Sequence, residues 1–188
     1  MTRPHVLFAV AAVIACGGPA AAAASDCSAG DAQVLYALIS TPPLLAAQAD
    51  ASTSIEVRSD GCVVVHAPAW RRDAGTRAFS LSESELDRLR LDIAATGIAS
   101  VDPQAVRADL RQARLQPKSG EVRIVKVSDE PIIELTVTDA AGPKTILWHS
   151  LLEDTANHPD HPGLHAIAAA AETLRNVPHR RAGQEAQP

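Results

Sequence analysis

Aromatic side chains are scarce in this chain. They make up 3% of its 188 residues, as two Trp, two Phe and one Tyr. Methionine occurs once and cysteine three times. There is no excess of basic charge: 17 Lys and Arg stand against 22 Asp and Glu, a formal net charge of -5. A domain built to hold nucleic acid needs a basic surface, so that class is set aside, and anionic lipid is disfavoured as the main partner. No apolar run reaches the roughly 18 residues of a membrane-spanning helix. The chain has no G-x-x-x-x-G-K-[ST] phosphate loop, no G-x-G-x-x-G turn, no G-x-S-x-G elbow, no S-x-x-K and no C-x-x-C. Nothing therefore assigns a catalytic residue. The expectation is a non-catalytic protein, held open because triads are defined by geometry rather than spacing.

What is present begins at the N-terminus. Arg3 precedes the apolar stretch Val6 to Ala15, too short to span a bilayer, and Gly17, Gly18 and Pro19 break it before Ala20 to Ala24. This is the build of a secretory signal peptide, residues 1–24, cleaved after Ala24. Val13-Ile14-Ala15-Cys16-Gly17 also has the form of a lipobox, in which Cys16 would be acylated and the following Gly/Pro/Ala stretch would be a tether. Both readings export the protein, to the periplasm, the outside, or an outer-membrane lipid anchor. Without residues 1–24 the formal charge becomes -6. Cys27 and Cys62 remain, and two cysteines in an oxidising compartment predict one disulfide. Closing a loop of about 35 residues between them is worth roughly 3–4 kcal/mol in the chain-entropy account.

Residues 25–177 read as one α+β domain, and the polar stretch from Pro178 as a disordered tail. Residues 31–49 hold two apolar clusters around Thr41-Pro42-Pro43, either short helices or edge strands. Ile55 to His66 reads as two strands joined at Asp60-Gly61, a preferred type I′ pair. That turn puts Val57 opposite Val64 and Ile55 opposite His66, with Cys62 and His66 on the core face. Arg77 to Leu81 is a further strand. Ser82 and Glu85 form a capping box. Leu86, Leu89 and Ile93 repeat at helical spacing up to Gly97. Asp102-Pro103 opens a second helix with Val106, Leu110 and Ala113 inward and Arg107, Arg111 and Arg114 outward. Val122–Val127, Ile132–Thr138 and Thr145–Trp148 are strands by β-branched content, residues 149–157 a turn or two of helix, and Pro162–Val177 a final amphipathic helix. The order strands-helix-strands-helix predicts two layers, an antiparallel sheet with helices packed on one face.

IEVRSDGCVVVHAPAW, LSESELDRL, and VSDEPIIELTV followed by LW carry a resemblance. Over roughly residues 44–175 the chain resembles small exported proteobacterial proteins that are uncharacterised. The resemblance implies a fold shape and no activity, so it transfers no functional residue.

Three groups of residues could still carry chemistry. His158, His161 and His165 form H-x2-H-x3-H, with His149, Glu153 and Asp154 upstream, and imidazoles with carboxylates suit Zn²⁺ or Cu²⁺. Pro162 stands where a zincin needs its Glu, so metal-assisted hydrolysis is not supported. The plainer reading is a helix start, with Asp160 or His161 as N-cap and Pro162 at the first helical position. Trp70-Arg71-Arg72 places an aromatic in a basic loop, and Trp and Arg are typical interface anchors, for instance toward an envelope protein. Arg107, Arg111, Arg114 and Lys118 line one helix flank, usually a solvated face. His66 reads as a hydrogen-bonded core histidine.

Overall fold

The computed structural model describes residues 27, 32–46, 48–115 and 129–179. The leader 1–24 with Cys16, the Val122–Val127 strand, Lys118, the side chain of Arg114 and the tail beyond His179 lie outside the described residues. Six strands form a single antiparallel sheet: β1 (Val34–Thr41), β2 (Thr53–Arg58), β3 (Cys62–Ala67), β4 (Gly75–Ser80), β5 (Ile132–Asp139) and β6 (Gly142–Trp148), in spatial order β4-β3-β2-β1-β5-β6. Four helices accompany it: α1 (Glu83–Ala95) and α2 (Pro103–Leu115) between β4 and β5, and α3 (Leu151–Asn157) and α4 (Pro162–Arg175) after β6. The class is α+β. Among the described residues no helix is long and apolar enough to cross a membrane.

Two rows of side chains run across the sheet in register. Val63, Val57, Tyr36 and Val137 are successive cross-strand partners, and so are Val65, Ile55, Leu38, Leu135 and Ile146. These residues share one core with Leu86, Leu89 and Ile93 of α1, Val106 and Leu110 of α2, Leu151 of α3, and Leu164, Ile167 and Leu174 of α4. Branched aliphatic residues fill it. Tyr36 and Trp148 are its only buried aromatics among the described residues, and burial pushes the Tyr36 phenol upward. The alternate side chains of the strands face the other way and are more polar, as expected of an antiparallel sheet whose two faces differ in environment. There Thr136 and Thr145 pair through their hydroxyls at 3.0 Å, and Arg58 Nε donates to Glu56 at 2.6 Å.

The local signals act as the sequence predicts where the chemistry is short-range. Ser82 caps α1, with both halves of the box present, and Gly97 takes the left-handed position after it at φ 73°. Asp102 Oδ1 accepts the Gln104 amide at 2.8 Å at the start of α2. Three longer-range expectations are corrected. β1 is the middle of the sheet, hydrogen-bonded on both sides, not an edge strand. Ala113 is exposed, whereas Arg107 turns back from solvent. The third correction concerns the β2–β3 hairpin. The Gly61 amide donates to Arg58 O at 3.0 Å and Gly61 lies at φ 83°, so the loop is Ser59-Asp60-Gly61, a turn plus a left-handed residue. Val57 therefore opposes Val63, not Val64. A slip of one residue exchanges faces. Val63 and Val65 enter the core, and Cys62 and His66 point the opposite way. Gly61 is demanded twice over, since a Cβ there would also lie 2.7 Å from the Leu81 carbonyl oxygen.

Candidate functional site

Strand direction alternates along the sheet, so the β1–β2 and β3–β4 connections emerge at the same end. They are tied together by one carboxylate. Asp50, in the first connection, accepts from His66 Nε2 at 2.8 Å through Oδ1 and from the Ala69 amide at 2.9 Å through Oδ2. With Nε2 donating to a carboxylate, the Nδ1 of a neutral ring is the acceptor, and it lies 3.0 Å from the Thr76 hydroxyl on β4. The hydrogen bond from His66, with that from Ala69, holds the Asp50 carboxyl below its ordinary value.

The rest of the β3–β4 loop is held from within. The Arg71 amide donates to Pro68 O at 3.0 Å and the Ala74 amide to Arg71 O at 3.3 Å. The Arg71 guanidinium grips Asp73 with two bonds, 2.8 and 3.3 Å, and Arg77 reaches the same carboxylate at 3.6 Å. Arg71 accordingly keeps the Asp73 carboxyl low. Trp70 projects from this braced loop, 54% exposed, while Pro68, two residues earlier, is buried. Arg72 is exposed and has no ion-pair partner among the described residues.

Cys27 and Cys62 are joined, with Cα atoms 5.4 Å apart. Their bridge lies on the sheet face opposite Val63 and Val65, at the far end of β3 from Trp70, where the Cys27 sulfur sits 3.2 Å from the Phe79 carbonyl. The three histidines do not converge. His161 is the N-cap of α4 but makes no capping bond through its side chain; its Nε2 lies 3.6 Å from Asp109 and its Nδ1 is buried without a partner. His165 Nε2 turns to the Pro159 carbonyl. Among the described residues no group of three His, Cys, Asp or Glu is placed to hold a metal ion. Gly163 lets α4 approach α2 here, since a Cβ would meet Val106 Cγ2 at 2.5 Å.

The basic helix flank does not act as one face. Arg107 lies over the Trp148 ring, 5.2 Å from its centroid, and bonds to the Leu147 carbonyl on β6, while Arg111 stays exposed. Sequence reasoning missed Asp50 and Thr76. Neither sits in a motif, and both matter only because the sheet brings them to His66. A comparison with protein-family models and with curated proteins finds no match.

Proposed function

We propose that the chain is an exported periplasmic or envelope protein, released by cleavage after Ala24 or acylated at Cys16, in which two layers of strands-helix-strands-helix order, helices on one sheet face, present a docking tip. In this reading it belongs with the uncharacterised small exported proteobacterial proteins that it resembles. It is non-catalytic and binds an envelope protein partner through Trp70, Arg71 and Arg72. The observation behind this reading is an exposed tryptophan on a loop that is already fixed by Asp50, Asp73 and its own turns. An ordered anchor loses little freedom on binding, so more of its contact energy becomes affinity. The Cys27–Cys62 bridge fits an oxidising compartment. The test is cross-linking of the native protein in the envelope, with Trp70→Ala and Arg72→Ala beside it. Loss of one recurrent cross-link in both variants supports the docking tip; unchanged cross-links remove it.

A second reading keeps His158, His161 and His165 as a site for Zn²⁺ or Cu²⁺, and the unpartnered Nδ1 of His161 is what favours it. Metal analysis of protein purified without a histidine tag decides it. Stoichiometric metal lost in His161→Ala supports the site, and substoichiometric metal unaffected by that change ends it.

A further inference from the structure

We infer that β4 is a receptor edge, and that the partner docks on it as an extended acidic segment added to the sheet as a further strand. This rests on the docking reading above and names the kind of partner. The register decides which backbone groups of β4 are free. The Leu81 amide donates to Gly61 O at 2.9 Å, which makes Gly61/Leu81 a hydrogen-bonded pair. In an antiparallel ladder such pairs alternate, so Val63/Phe79, Val65/Arg77 and Ala67/Gly75 are bonded pairs and Val64/Ala78 and His66/Thr76 are not. The N–H and C=O groups of Thr76 and Ala78 therefore point away from β3. The close approach of side chains in a non-bonded pair also accounts for the His66–Thr76 hydrogen bond. Among the described residues no strand lies beyond β4, and Gly75, Thr76, Arg77 and Ala78 are all exposed.

The opposite edge is guarded at two points. The Arg107 bond to the Leu147 carbonyl marks Leu147, Thr145 and Pro143 as the outward residues of β6. Pro143 has no amide to offer, and the Leu147 carbonyl is already taken. Guarding of this kind is how sheets avoid unwanted strand addition, and β4 has neither device.

Charge selects the occupant. Arg71, Arg72 and Arg77 flank the free edge against the carboxylates of Asp50 and Asp73, and Arg72 has no ion-pair partner among the described residues, so the edge is basic in a protein that is acidic as a whole. A second copy of the chain, pairing Thr76 with Ala78 across a two-fold axis, would place Arg77 directly against Arg77, and like charges opposite one another destabilise a strand pair. An acidic residue at that position reverses the sign. Strand addition then gives affinity through the backbone, and Trp70 at the start of the edge supplies the apolar contact.

The probe is a short blocked peptide of alternating glutamate and valine, titrated into the disulfide-bonded protein and followed by fluorescence anisotropy. It binds at least about tenfold tighter than its lysine–valine counterpart, and Arg77→Glu reverses that order. Methylating one alternate set of peptide amides weakens binding about tenfold, and methylating the other set does not, since only one set meets β4. Ala78→Pro, which removes an outward amide and no bond to β3, weakens binding about fivefold or more with melting unchanged. Equal effects of the two methylated sets, or no preference for the acidic peptide, overturn the inference. So does a dimer in sedimentation that Ala78→Pro dissolves, because it puts a second copy on the edge. If Trp70→Ala abolishes the envelope cross-link while Ala78→Pro retains it, the docking tip stands and the strand-addition inference falls.

Discussion

The two edges of the sheet solve one problem in opposite ways. At β6, Pro143 withholds an amide and Arg107 covers the Leu147 carbonyl, so the last strand is guarded at both of these positions. At β4, the strand is exposed from Gly75 to Ala78, yet the loop leading into it is braced by Asp50 and Asp73. A neglected edge would be expected to have a slack loop beside it. Rigid support next to open backbone is instead the combination that a recognition surface needs, because ordering is completed before binding. The helices show the same asymmetry. α2 reaches across to β6 through Arg107, and among the described residues no helix side chain makes a hydrogen bond to β4.

The largest test of this contrast is at the disulfide, which sits on the β4 side. Cys62→Ser is expected to destabilise the domain by roughly 3–4 kcal/mol, measured by denaturant unfolding with and without reductant. A loss well under about 1 kcal/mol would mean that this side does not depend on its staple. Next comes Gly61→Ala, which forces a Cβ toward the Leu81 carbonyl at a positive φ. A cost of about 1–3 kcal/mol is expected, together with faster amide exchange at Leu81. Arg107→Ala should cost about 1–2 kcal/mol, from the stacking on Trp148 and the bond to Leu147 together. Its sharper consequence is that β6 regains the Leu147 carbonyl as a free outward acceptor. Concentration-dependent association should rise in light scattering, and if it does not, Arg107 is no guard.

The smallest effect concerns acid. Asp50 and Asp73 both titrate lower in the folded loop than in an unfolded chain, held down by His66 and by Arg71. Their contribution is therefore complete above the ordinary aspartate range and fades as pH falls through that range to their lower folded values. Trp70 emission, followed in a Trp148→Phe background, should shift toward that of a solvated indole over this acid window. Asp50→Asn should abolish part of the shift. A flat profile would separate the loop from its two carboxylates.

How much of this was written in the sequence depends on distance along the chain. The capping box at Ser82, the helix stop at Gly97 and the start at Asp102-Pro103 are each fixed by atoms a few residues apart, and they read correctly. The Asp60-Gly61 signal correctly announced a hairpin but not its loop length. One additional loop residue carried Cys62 and His66 to the other face, and with them the expected environment of the β3 histidine that braces the β3–β4 loop. The disulfide was legible from the cysteine count alone, whichever way Cys62 pointed. The central position of β1 was not legible, because the strand that completes its pairing, β5, arrives about 90 residues later. The histidine run shows the opposite failure, since closeness in sequence did not become closeness in space. Asp50 and Thr76 had no signal at all. An aspartate in a connection and a threonine in a strand are ordinary until a fold joins them.

The bridge between Cys27 and Cys62 also sets an orientation. It attaches the incoming polypeptide at the start of β3, while Trp70 stands just past that strand's finish, about 20 Å away at the usual rise per residue. Whatever grips the chain ahead of Cys27 thus holds the domain by its heel and turns the tryptophan outward. With the bridge reduced, the domain would still be held from that heel through β1, which starts at the same end of the sheet, so the bridge and the first strand aim the tip the same way.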